Sequence, residues 1–250
     1  MFFKKNLPPF CFDSVKLEQL ALDEHDHYSV AKPFRHVVFD DFLSEQYAEL
    51  LLDLFPNRDS VVWKAWGDPD KVNHPNKQAI WNAAGLNSLA PEFQNIVTAF
   101  NTYPFLNFLN KLTGIEKLLP DPYLYGGGLH QILNGGKLAV HTDFNDHKAL
   151  NIYRRINVLL YLNKDWREEY NGQLELWDEN LDACVKSISP VFNRLVVFNT
   201  DKRSFHGHPK PLNVPEDTTR KSLAFYYYTA QPDPDQSYSG ETDWQQIETD

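Results

Sequence analysis

From residue 123 onward the chain breaks into short apolar and β-branched runs separated by turn residues, at 129–133, 137–141, 155–162, 172–177, 184–188, 194–199, 203–208 and 221–229. The connections are short and contain no helical stretch, so the crossovers that a parallel sheet requires are missing. Eight such runs predict a mainly β fold with flanking helices, whose core is a double-stranded β-helix, the jelly-roll or cupin-like arrangement. A chain of 250 residues that is 42% hydrophobic and 14% aromatic can bury such a core as one domain.

Upstream the pattern is different. "PFRHVVFDDFLSEQYAELLLDLF" (33–55) predicts a strand at His36–Phe39, then a helix with Ser44 as N-cap and Leu43, Ala48, Leu51, Leu52 and Phe55 on one face. Residues 56–90 have no clear period and form an aromatic-bearing loop region, where Trp63, Trp66 and Trp81 either cover the sheet or line a groove. Helical spacing returns at 91–115 and breaks near Pro104, which predicts two helical pieces. The resulting division is an N-terminal extension (1–32), a strand, helix and loop support (33–122), the β core (123–230) and a polar tail (231–250) expected on the surface or partly disordered.

The formal net charge of −10 disfavours nonspecific binding to nucleic-acid phosphates or to an anionic membrane, so neither is expected as a partner. Only Cys11 and Cys184 are present, which predicts two reduced thiols and a cytoplasmic location. The start "MFFKKNLPPFCF" reads as neither a secretory signal nor a membrane span.

Chemistry enters with "LAVHTDF" (138–144). His141 and Asp143 stand two apart and share one face if the strand extends that far, although about one such pair arises by chance in a chain of this composition. "SFHGHP" (204–209) adds a second imidazole, His206 or His208. Two imidazoles and a carboxylate are the facial set of non-haem Fe(II) oxygenases. In "TRKSLAFYYY", Arg220 and Ser222 share a face suited to a carboxylate, with Lys221 on the other. On β alternation, Asn157, Leu159 and Tyr161 face opposite to Val158, Leu160 and Leu162, and either set could line the interior. His74, His130 and His147 read as ordinary polar residues, and Arg154 and Arg155 as a solvated strand start.

In this order and spacing, H141-T-D143, H206 and R220-K-S222 resemble the 2-oxoglutarate- and Fe(II)-dependent oxygenases of the prolyl 4-hydroxylase-like branch. "YRRINVLLYLNKDW", "NGQLELWD", "ISPVFNRLVVFNTD" and "SFHGHPKPL" are similar to stretches of that branch, and the resemblance extends over about residues 33–230, leaving 56–90 and the tail unaccounted for. It implies that His141, Asp143 and His206 bind Fe(II), that Arg220 pairs with the distal carboxylate of 2-oxoglutarate, and that Ser222 adds a hydrogen bond there; separately, if the set Asn157, Leu159 and Tyr161 is the one that faces the interior, Asn157 or Tyr161 is placed to touch the cosubstrate. The resemblance further implies O2 as co-reactant, ascorbate as a candidate stimulant, and hydroxylation of an unactivated C–H bond coupled to formation of succinate and CO2. A carboxylate at 143 points away from the halogenating relatives. The implied substrate is a prolyl or other residue in a peptide or protein, with a small metabolite or sugar as the alternative. Two other classes stay open: a cupin-like Zn or Mn enzyme using His141, His206 and His208, and a non-catalytic binding module.

Overall fold

A computed structural model describes residues 10–65, 72–81 and 83–247. It begins with α1 (Ser14–Val30), β1 (His36–Phe39) and α2 (Glu45–Leu54), continues through β2 (Lys64–Ala65), β3 (Lys77–Ile80) and the single turn α3 (Ala83–Leu86), and reaches the helical pair α4 (Pro91–Ala99) and α5 (Tyr103–Thr113). The remainder is β: β4 (Leu119–Pro120), β5 (Gly128–Ile132), β6 (Leu138–Thr142), β7 (Asp146–His147), β8 (Ile152–Tyr161), β9 (Leu174–Trp177), β10 (Cys184–Ile188), β11 (Arg194–Asn199), β12 (His206–His208), β13 (Arg220–Thr229) and β14 (Asp243–Trp244).

Among the described residues the strands form two antiparallel sheets. The larger runs β1-β11-β8-β13-β5-β3-β2, with β4 on β13 and β7 on β8; the smaller runs β10-β9-β12-β6-β14. The two sheets are the halves of the predicted jelly roll. Alternation gives the large sheet two apolar faces. Val158, Leu160, Leu195, Val197, Leu223, Phe225 and Tyr227 enter the main core under the helices. Val196, Phe198 and Tyr161 point the other way, toward Leu174, Leu176 and Ile188 of the small sheet.

The helical layer is cemented by aromatic rings. Phe100 at the end of α4 stacks flat on Phe225 of β13, centroids 4.3 Å apart, and Phe105 and Phe108 of α5 pack at 5.4 Å. Full burial of each such side chain stabilises the fold by roughly 1.5–3 kcal/mol. Pro104 stands in the first turn of α5, where its missing N–H is harmless, and thereby separates the two helices as the sequence predicts.

One region departs from the sequence reading. The N-terminal extension contains a 17-residue helix, α1, capped by Asp13. It docks on α5 through His25, whose Nδ1 donates to the carbonyls of Lys111 and Leu112, and its Tyr28 hydroxyl donates to Asn199 of β11. Only Leu17, Ala21 and Tyr28 of α1 are buried, so its apolar stripe is too thin to announce a helix. In the loop region Trp63 covers the core against Phe55 at 5.6 Å, Trp81 is half-buried beside β3, and Trp66 lies outside the described residues. No described helix is long and apolar enough to cross a membrane.

Candidate metal centre

Strands β6 and β12 are antiparallel neighbours with His141 directly opposite His206, which sets the imidazoles side by side at 4.5 Å. Gly207 makes this closeness possible, because a Cβ there would stand 2.8 Å from the Ala139 carbonyl oxygen. Asp143 follows just beyond β6 on the His141 face. Its Oδ1 lies 3.5 Å from His141 Nε2 and its Oδ2 lies 3.3 Å from His206 Nε2.

The far side of each ring is fixed. His141 Nδ1 donates to the Ala139 carbonyl at 2.8 Å and His206 Nδ1 to the Ser204 carbonyl at 2.9 Å. A carbonyl only accepts, so both Nδ1 atoms carry the hydrogen and both Nε2 lone pairs face the carboxylate. This is the tautomer a metal ligand needs, and all three ligand atoms fall within 4.8 Å of one another. The donor set fits Fe(II).

Asp143 is held in turn. Its Oδ2 accepts from Asn157 Nδ2 at 2.7 Å and from Arg154 Nη2 at 3.0 Å, while Arg154 Nε donates to Asn157 Oδ1 at 2.8 Å. The guanidinium lies over the Tyr226 ring at 3.3 Å. Burial alone would raise the Asp143 pKa; the Arg154 charge, the largest opposing cause, holds it well below the usual carboxylate range. Arg154 is wholly buried, which corrects its reading as a solvated strand start. The cause is a bulge in β8: Tyr227 pairs with Ile156 and Tyr228 with Arg154, so the extra residue Arg155 turns Arg154 toward Asp143 and leaves Arg155 to pair with Asp233.

The triad opens onto a cavity of about 110 Å³ between the sheets. Asn157, Leu159 and Tyr161 line it, which settles the orientation of β8. The structure also gives Asn157 a definite occupation, since both ends of its amide are engaged by Arg154 and Asp143. Along β13, Tyr226, Ala224, Ser222 and Arg220 line the cavity in alternation, and Lys221 does not. Arg220 Nε donates to the Gly172 carbonyl at 2.7 Å and Nη2 reaches the Tyr161 hydroxyl at 3.3 Å. Gly172 has φ +78°, and a Cβ on it would crowd Arg220 Cδ at 3.0 Å, so this turn is built around the arginine.

Sequence reasoning missed several lining residues. Lys77 of β3 and Arg220 of β13 both stand opposite Ile132 of β5, one on each side, which brings two cations to one row of the sheet. Burial, partly opposed by Asp143 and reinforced by Arg220 and Arg154, pushes the Lys77 ammonium down to about 8. His130 and His208 line the same end. Burial first, then Lys77 for His130 and Arg220 and Lys77 for His208, hold both imidazoles well below their usual range, so both are neutral. The described tail lies at the surface, as expected, but carries one strand that the sequence did not announce. It returns as β14 alongside β6, with Trp244 opposite His141, its indole 4.7 Å from that ring and 5.5 Å from His74. Nothing in the polar composition of 231–250 announces this.

Comparison with known proteins agrees with the geometry. Residues 127–228 match the family model of the 2OG-Fe(II) oxygenase superfamily. Over 79 residues, 30% of this chain, the sequence is 38% identical to the prolyl 3-hydroxylase OGFOD1 of Mus musculus, and the match spans 14% of that relative's length. The fold is shared with a prolyl hydroxylase from Trichoplax adhaerens solved with a hypoxia inducible factor peptide fragment (TM-score 0.58, 18% identity, 86% of this chain and 91% of that one). It is shared equally with prolyl 4-hydroxylases from Phytophthora capsici (TM-score 0.59, 22% identity, 90% and 69%). The matched residues contain His141, Asp143, His206 and Arg220, so the stretch that is similar to the 2OG-Fe(II) oxygenase superfamily is the β core that carries the candidate site.

Proposed function

We propose that the chain is an Fe(II)- and 2-oxoglutarate-dependent hydroxylase of the prolyl 4-hydroxylase-like branch, acting on a prolyl residue in a peptide or protein. The observation that carries this reading is the His141–Asp143–His206 set, with both imidazoles locked in the ligand tautomer, in one cavity with Arg220. His141, Asp143 and His206 hold the iron. Arg220 grips the distal carboxylate of 2-oxoglutarate, with Ser222 and the Tyr161 hydroxyl beside it. When bound, iron, 2-oxoglutarate and O2 supply the oxidation, which places one oxygen atom in a C–H bond and cleaves the keto acid to succinate and CO2.

The residues of the chain provide the setting. Arg154 and Asn157 keep Asp143 ionised and aimed at the imidazoles. Leu159, Leu174 and Phe198 wall the cavity with apolar surface and limit water around the triad. Outside the cavity the wall residue Phe144 packs against Tyr125 at 5.4 Å, and Tyr123 and Tyr125 are exposed, an aromatic surface suited to a proline ring. Of the proteins named above, the one from Trichoplax adhaerens is solved with a peptide fragment, and the others are named as prolyl hydroxylases. A cytoplasmic setting belongs to the proposal, carried by the cysteine usage alone.

The test is succinate formation from 2-oxoglutarate, with and without Fe(II), in the presence of proline-containing peptides, followed by mass spectrometry of the peptides. Iron-dependent succinate with one oxygen added at proline is the expected result. Succinate driven by a metabolite pool and by no peptide would reassign the substrate.

A further inference from the structure

His208 is the least explained polar residue of the cavity. It is 2% exposed, and among the described residues neither of its ring nitrogens has a hydrogen-bond partner, a state that costs roughly 1–3 kcal/mol for a buried polar group. Packing does not require an imidazole here, because an apolar side chain would fill the position without that cost. Its direction is set by the strand: β12 alternates His206, Gly207, His208, and Gly207 is pressed against the backbone of β6, so both imidazoles project into the cavity. His206 stands opposite His141 at the metal end, whereas His208 stands opposite Leu138, displaced along β6 away from Asp143. It therefore faces, from the small sheet, the end of the cavity that Arg220 and Ser222 face from the large one.

The chemistry of that end is anion-binding. Arg220 has no carboxylate partner among the described residues, and its guanidinium is steadied by Gly172 and Tyr161. An imidazole in the neutral form offers one N–H donor and one acceptor, and a carboxylate held by Arg220 still has lone pairs to fill.

We propose that His208 is a cosubstrate-binding residue, donating a hydrogen bond to the distal carboxylate of 2-oxoglutarate across from Arg220. The inference rests on the proposed function. His208 closes the cavity around a second carboxylate, and so selects a keto acid that carries one at the correct distance from the metal.

The experiment measures binding rather than turnover. The full chain is loaded anaerobically with Fe(II) and titrated calorimetrically with 2-oxoglutarate and with 2-oxovalerate, the five-carbon keto acid that lacks the distal carboxylate. His208→Leu should weaken 2-oxoglutarate about tenfold or more, leave 2-oxovalerate unchanged and leave the melting temperature unchanged or higher; His208→Gln, which keeps a donor, should recover part of the loss. Equal 2-oxoglutarate affinity in His208→Leu and the native chain would overturn the inference while leaving the function intact. Equal losses for both keto acids would overturn it too, by making His208 structural. If the native chain bound no 2-oxoglutarate, the proposed function would fail and take the inference with it.

Discussion

The two ends of the cavity are built on opposite plans. At the metal end the polar groups are satisfied by protein: His141 and His206 by carbonyls, and Asp143 by Arg154 and Asn157. At the far end Lys77 and Arg220 share one row of the sheet, and His208 has no partner at either nitrogen among the described residues. The contrast teaches that the metal ligands are oriented by the fold itself, whereas the far end is complete only with an acid. Preorganisation near iron favours tight metal binding, and the far end converts stored electrostatic and desolvation cost into affinity for a dicarboxylate.

The largest effect should come from removing the carboxylate at the organised end. Asp143→Ala should abolish iron binding and succinate formation together, read by metal analysis and turnover. Next, Arg154→Ala should cost roughly 3–5 kcal/mol of stability in urea unfolding, because it leaves a buried carboxylate unpaired. Combined with Asp143→Ala the loss should be clearly less than additive, since the two residues act as a pair. At the far end, Arg220→Ala should raise the 2-oxoglutarate requirement roughly ten- to a hundredfold, the worth of one charge-assisted hydrogen bond, with Lys221→Ala near native. A stronger effect at 221 than at 220 would reverse the assigned faces of β13.

Smaller effects sharpen the comparison. Trp244→Ala removes a ring contact worth about 0.5–1.5 kcal/mol and should weaken iron by a few fold without changing 2-oxoglutarate selectivity. Lys77 gives a pH signature. Its ammonium sits at about 8 in the folded chain against an ordinary 10.5, so the unfolded chain holds more protons between these values and the Lys77 contribution to stability improves as pH rises through that window. Affinity for 2-oxoglutarate should move the opposite way, falling above about pH 8 as the cation is lost, and Lys77→Met should flatten both trends.

Where a residue obeys strand alternation it was legible in the sequence. The eight β runs correspond to β5, β6, β8, β9, β10, β11, β12 and β13, and period two puts Arg220 and Ser222 on one face and Lys221 on the other, the first of which lines the cavity in the structure. His141, Asp143 and His206 meet because β6 and β12 are neighbours, a pairing that periodicity does not contain and that the family resemblance implied. Arg154 was hidden by a bulge, which inverts alternation without a mark in the local sequence. Lys77 and Trp244 were hidden because they sit on strands of four and two residues whose pairing depends on distant neighbours. Alternation left the face of Asn157 open; in the structure it lines the cavity and its amide serves Asp143, a role fixed by Arg154 lying beside it.

The central claim is that one cavity holds a metal at one end and a keto acid at the other. Its most direct test is anaerobic addition of 2-oxoglutarate to the Fe(II)-loaded chain, followed by visible absorption. The account predicts a weak charge-transfer band that saturates with the keto acid, persists at higher cosubstrate concentration in Arg220→Ala and is absent in Asp143→Ala. Iron binding with no band at any 2-oxoglutarate concentration would contradict it.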